Sequence, residues 1–233
     1  MKKMQTFISL IAIIVISNIT IVKASHAVGA DLTYAYVSPN TIHLRLRFYR
    51  DCTGIPAPAT GNIRISSSSC NQPAFGINMP LVSAGEIVTS DCIDTTALTT
   101  CHPGGTRYGV EEYVYEQDLS LPMICNDWLF EFEECCRNVN QTMTGSPSIY
   151  INTTYNNLNA PINSSPQFLS YPVVSFCIGI PFTYFQNASD PDGDSLVFGV
   201  HSTFDSDILK IENLDNNEAN IYLVKELDRE VSN

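Results

Sequence analysis

Ile42-His43-Leu44-Arg45-Leu46-Arg47-Phe48 decides the fold class. Ile42, Leu44, Leu46 and Phe48 fall on one face, and His43, Arg45 and Arg47 on the other. Strict alternation puts successive side chains on opposite sides of an extended backbone, which predicts a half-buried antiparallel strand. Thr33-Tyr34-Ala35-Tyr36-Val37 precedes it across Ser38-Pro39-Asn40, so the two read as a hairpin. Arg45 and Arg47 resemble a nucleic-acid stripe only in isolation. As the polar face of a strand in an acidic chain they are expected to be solvated.

Further strands are expected outward from this hairpin. Asn62–Ser66 is a short one and Leu81–Ser90 another. Gly109–Glu116 alternates aromatic and polar residues. In Asp127–Arg137, Trp128, Phe130 and Phe132 share one face, and Leu129, Glu131 and Glu133 share the other. Ser148–Thr153 closes the block. Asp51–Pro58, with Gly54, Pro56 and Pro58, is a loop. Short strands separated by Pro, Gly and Asn turns predict an all-β sandwich.

Composition agrees. The chain has 233 residues, with 13 Pro, 12 Gly and 22 Tyr plus Phe, and charged residues make up 15%. The net charge of −12 argues against nucleic acid, because phosphate binding needs clustered Lys and Arg. Met1–Lys3 carries two lysines, Phe7–Ile16 is apolar, and Val22-Lys23-Ala24 suits cleavage before Ser25. That order describes a secretory signal peptide over residues 1–24. The apolar run is about half the roughly 20 residues a spanning helix needs, so no membrane span is expected after cleavage. Loss of Lys2, Lys3 and Lys23 takes the net charge to −15. The mature chain is expected to be secreted and to sit at the cell surface.

All eight cysteines, Cys52, Cys70, Cys92, Cys101, Cys125, Cys135, Cys136 and Cys177, lie beyond the leader. An even count in an exported chain reads as disulfides. A local Cys92–Cys101 bridge is expected across the Thr-rich loop that ends in His102-Pro103-Gly104-Gly105. Cys135 and Cys136 are expected to point to opposite strand faces and find separate partners. Zinc is disfavoured, since there is no Cys-x-x-Cys pair and the four histidines are scattered.

Asn156–Pro166 is polar and turn-rich and reads as a linker, with a domain boundary near residue 162. The expected organisation is a disulfide-bonded sandwich over 25–161 and a second sandwich over 162–233. In the second block, strands are expected at Val173–Cys177, Phe182–Phe185, Leu196–Val200, Ile208–Ile211 and Ile221–Val224. It spans about 70 residues, short of the roughly 100 of a complete sandwich domain, which predicts an incomplete repeat.

Asp190-Pro191-Asp192-Gly193-Asp194 is the sharpest local signal. Its three carboxylates can converge on a hard cation such as calcium. Equally, Asp and Gly satisfy the geometry of a plain acidic turn. Leu227-Asp228-Arg229-Glu230 adds two more acids, and residues 188–233 carry eleven acids against three bases.

Residues 188–230 resemble a cadherin repeat. Ala188–Asp194 is similar to that family's acidic Asp-x-Asp segment, and Ile221–Glu230 to the strand leading into its Leu-Asp-Arg-Glu motif. The resemblance implies calcium bound between successive repeats by Asp190, Asp192, Asp228 and Glu230, with Asp194 beside them. The linker keeps Pro166 and Phe168 of the family pattern but lacks its acids, which implies a partial site. A second resemblance rests on Ser25–Tyr34, Phe48-Tyr49-Arg50-Asp51-Cys52 and Glu134-Cys135-Cys136-Arg137-Asn138. These are similar to the N-terminal region of large modular surface proteins of gliding, Bacteroidetes-type bacteria, which implies location and architecture rather than an activity.

The functional expectation is a non-enzymatic exported surface or adhesive module. Its partners would be other surface proteins, neighbouring repeats or extracellular glycans. The alternative is a carbohydrate-binding or accessory module of a secreted hydrolase, with Tyr113, Tyr115 or Trp128 stacking on sugar; against this, Trp128 reads as a core residue. Enzyme readings are weak. Cys101-His102 are neighbours that do not aim at each other, Glu131, Glu133 and Glu134 are ordinary strand acids, and no Gly-x-Ser-x-Gly elbow occurs.

Overall fold

The computed structural model describes residues 27–88, 98–137, 148–171 and 187–199, and the backbone of two further strands at 209–213 and 219–223. Eleven strands are described: β1 (Ala27–Ser38), β2 (Thr41–Asp51), β3 (Thr60–Ser67), β4 (Gln72–Val88), β5 (Val110–Ser120), β6 (Trp128–Glu134), β7 (Ile149–Tyr155), β8 (Gln167–Phe168), β9 (Ala188–Ser189), β10 (Leu209–Asn213) and β11 (Ala219–Leu223). No helix occurs among the described residues.

The first seven strands form one antiparallel sheet in the order β1-β2-β5-β4-β3-β6-β7. The β1–β2 hairpin turns at Asn40, whose φ of 58° is a left-handed conformation that Asn tolerates better than most residues. Strand β4 makes the sheet curl. Its first half, to Pro80, pairs with β3; its second half, from Leu81, pairs with β5 through two register shifts. Such bulges sharpen twist and bend a strand. The sheet therefore comes nearly full circle, and β1 approaches β7.

The core lies inside this curl. Ile42, Leu44, Leu46 and Phe48 are fully buried, as the alternation of β2 requires, and so are Trp128 and Phe130 of β6. Rings meet across the interior: Tyr34 and Tyr155 lie 4.9 Å apart between centroids, and Phe48 and Phe132 meet edge-on at 6.0 Å. Gly61 of β3 points inward, where an added Cβ would lie 2.9 Å from a Leu46 methyl and 3.1 Å from the Tyr115 ring. The strand can pass that close only without a side chain.

The all-β expectation holds. Two complete sandwiches are not what the described residues display. They contain one nearly closed sheet and two small hairpin-like pairs, β8–β9 and β10–β11. The last pair overlaps the expected strands at 208–211 and 221–224. Leu196–Gly199 is irregular rather than a strand, and the strands expected at 173–177 and 182–185 lie outside the described residues.

The segment read as a linker is built into the fold. Its polar side chains are used as latches rather than spread in water. Asn157 is buried; its Oδ1 accepts from the Cys125 amide (2.7 Å), and its Nδ2 donates to Asn40 Oδ1 and the Met123 carbonyl (3.0 Å each). Ser165 runs along the free edge of β1, where its amide donates to the Tyr34 carbonyl and its hydroxyl accepts from the Tyr34 amide.

Candidate functional site

The outward face of β1-β2-β5 carries the densest polar chemistry among the described residues. Register explains it. On this face β2 sets Arg45 opposite Glu116, and Arg47 opposite Val114 and Asp31; at the end of the strand Arg50, on the same side as Phe48, stands opposite Glu111. Opposite charges therefore meet across neighbouring strands, a pairing that favours this register.

Arg47 is not solvated, contrary to expectation. Its Nε donates to Asp31 Oδ1 at 2.9 Å, and an Nη donates to the Phe168 carbonyl of β8 at 2.7 Å. Tyr49, fully buried, donates its hydroxyl to Glu112 at 3.0 Å. Tyr171 meets the Tyr49 ring edge-on at 6.2 Å. Segment 167–171 thus covers the charges. Burial pushes the Asp31 carboxyl above its usual value, although Arg47 and Tyr49 work against that rise. Burial, with Asp31 alongside, also pushes the Tyr49 phenol far up. The Tyr49 phenol therefore keeps its proton near neutrality.

Arg45 remains exposed but is paired with Glu116, and His43 meets Asp118 at 2.7 Å. Arg50 is buried. It donates to the carbonyls of Gly54 (2.8 Å) and Ile55 (2.7 Å) and to Glu111 (2.9 Å), and it lies over the Tyr113 ring. Burial acts to raise Glu111, but the hydrogen bonds of Tyr113 and Arg50 and the Arg50 charge outweigh it and hold that carboxyl below its ordinary value. A shallow groove of about 370 Å³ runs between this face and Leu169 and Tyr171.

The acidic turn behaves as a turn. Asp190 Oδ1 accepts from the amides of Asp192 (2.9 Å) and Asp194 (3.2 Å), and Gly193 takes a φ of 83°. Asp192 Oδ2 accepts from the Ser164 amide at 2.5 Å, fastening the turn to the segment on β1. Asp228 and Glu230 lie outside the described residues. Among the described residues, ligand atoms gather within 4.8 Å only at Cys52, Cys101 and Glu111. There the sulfurs are bonded to each other, and that chemistry suits no metal.

Disulfides hold both ends of the curl. Cys52–Cys101 ties the end of β2 to the loop before β5, and Cys70–Cys125 ties the β3–β4 turn to the loop after β5. This corrects the local Cys92–Cys101 pairing. Gly105 and Gly109 let the loop fold tightly around Thr99, bringing Cys101 to the end of β2 rather than leaving it facing its near neighbour; a Cβ on Gly109 would lie 2.6 Å from the Cys101 sulfur. Cys135 and Cys136 are bonded to each other, which corrects the expectation of separate partners. The left-handed φ of 79° at Cys136 takes the backbone off the strand path that would have sent the two side chains to opposite faces. Cys92 and Cys177 lie outside the described residues.

The aromatics nominated for sugar stacking are engaged inside. Trp128 and Tyr115 are buried core residues, and the Tyr115 hydroxyl donates to the Pro58 carbonyl at 2.6 Å. Tyr113 donates to Glu111 beneath Arg50. Glu131 is paired with Arg64 and accepts from Tyr150. Glu112 carries no functional expectation from the sequence, and Asp31, Tyr49 and Arg50 enter it only within stretches that bear a resemblance. Their only local signal is the pair of acids at Glu111-Glu112, which gains meaning once β5 is known to lie beside β2.

No family model, curated protein or solved structure matches the chain. No helix among the described residues is long and apolar enough to cross a membrane.

Proposed function

We propose that the chain is an exported, non-enzymatic structural module of a cell surface, working through adhesion or as a rigid spacer rather than through catalysis. One observation carries this reading. The sheet is filled with large side chains and stapled at both ends by disulfides that span 49 and 55 residues of chain. Such staples suit an oxidising exterior. The polar face of β1-β2-β5 satisfies itself, with each acid committed to a base, a phenol or a backbone amide. That favours rigidity over turnover. The likeness of the two sequence regions to modular surface proteins and to a cadherin repeat supports the same reading.

Labelling and protease shaving of intact source cells test it. The chain should be reached without permeabilisation, and its deletion should weaken attachment or cell–cell contact. Labelling only after lysis would overturn the proposal.

Calcium belongs to this proposal through the cadherin-like segment, with Asp190, Asp192, Asp194, Asp228 and Glu230 as the acids concerned. Thermal unfolding of the full chain should show a higher midpoint at millimolar calcium than in excess chelator. An unchanged midpoint removes calcium from the account and leaves the structural role standing.

A further inference from the structure

Three disulfides are described, and they differ in what they connect. Cys52–Cys101 and Cys70–Cys125 join distant elements, so each restricts the unfolded chain. Cys135–Cys136 joins neighbours in sequence. It closes no loop of chain and removes almost no freedom from the unfolded state, so the stabilisation that explains the other two does not explain it.

Its surroundings suggest another use. Cys135 is an exposed residue and Cys136 a buried one, so the bond joins the surface to the interior. Cys136 holds a φ of 79°, a region that residues with a side chain seldom adopt. The next residue, Arg137, crosses to the start of the sheet. It forms a bridge to Ala27, and its guanidinium donates to the Val28 carbonyl at 3.2 Å. The bonded pair therefore sits at the hinge of a clasp on the first residues of β1.

We propose that Cys135–Cys136 is a thiol-exchange site, opened by a small thiol, whose opening releases the Arg137 clasp. An external thiolate attacks the sulfur of Cys135, the exposed residue of the pair, and forms a mixed disulfide. The Cys136 sulfur leaves as thiolate and takes a proton from water. A second external thiol attacks the outer sulfur of the mixed disulfide and frees Cys135. In balance, two external thiols become one external disulfide, and the protein pair gains two electrons and two protons. Once the ring is open, Cys136 can return to an extended conformation, and Arg137 moves with it. This goes beyond the structural role and does not depend on it.

The test begins with the full exported chain, purified without reductant and titrated with glutathione and then dithiothreitol. Free thiols are trapped with iodoacetamide and assigned by peptide mass spectrometry. Cys135 and Cys136 should be trapped together at a thiol concentration about tenfold below that needed for Cys52, Cys101, Cys70 and Cys125. Joint opening of all pairs, or a non-reduced map joining either residue to another cysteine, would overturn the proposal. The Cys135→Ser/Cys136→Ser double variant provides the second measurement. It should keep its Tm within about 4 °C of the parent and show faster deuterium uptake at residues 27–29. A larger fall in Tm would mean the bond is structural, and parental uptake would remove the clasp.

Discussion

At Asp31 two effects oppose each other. Burial raises its carboxyl pKa, while Arg47 and Tyr49 favour the charged form, and burial prevails. The folded chain thus holds this proton more tightly than the unfolded chain, where the group titrates near 3.8. Its contribution to stability is greatest below that value and is lost as pH rises through the folded value. Glu134, raised by burial, acts in the same sense. Glu111 has the opposite sign, since its folded value is depressed and its contribution is lost in acid. Asp31→Asn should therefore flatten the decline of stability with rising pH just above 3.8, measured by urea unfolding across that range; an unchanged slope would contradict the burial argument. Arg50 acts through geometry. Its fork reaches two loop carbonyls and Glu111 at once, so Arg50→Ala should cost about 3 kcal/mol in denaturant unfolding. A loss below about 1 kcal/mol would mean the 51–58 loop is held by other contacts.

At the scale of elements, β3 passes the interior at Gly61 with no room for a side chain. Gly61→Val should lower stability by about 1–3 kcal/mol through overpacking, read as an earlier urea midpoint; a midpoint equal to the parent's would show that Leu46 and Tyr115 can yield. The strands themselves were readable in the sequence. Alternation in Ile42–Phe48 and Trp128–Phe132 fixed which side chains face inward, and both faces are as expected. What alternation does not carry is the neighbour. Nothing local to Arg47 reveals that Asp31, Glu112 and the Phe168 carbonyl will surround it, because those partners come from three separate elements. The latch role of Asn157, Ser164 and Ser165 is hidden in the sequence for a related reason. Polar, turn-forming residues look alike whether they face water or satisfy buried backbone groups, and only the fold decides.

For the whole molecule, the sheet's near-closure depends on β4 changing partners midway, from β3 to β5, through register shifts. Hydrophobic pattern records which face is buried but not where a strand bends, so the pattern marks only the part of β4 from Leu81 and not the half that begins at Gln72. The disulfide pairing was equally hidden, since eight cysteines allow 105 combinations: proximity in sequence misleads at Cys101, which bonds the distant Cys52, whereas at Cys135-Cys136 the immediate neighbours are the bonded pair. The acidic turn was legible as both a cation loop and a turn, and the hydrogen bonds to Asp190 display the turn. Export is the claim on which the disulfides and the surface role both depend. Intact-mass analysis of the protein from source cells, alkylated without reductant, tests it most directly. The account predicts a chain beginning at Ser25 with all eight cysteines inert to iodoacetamide, whereas a chain retaining residues 1–24 and taking up label on its thiols would contradict it.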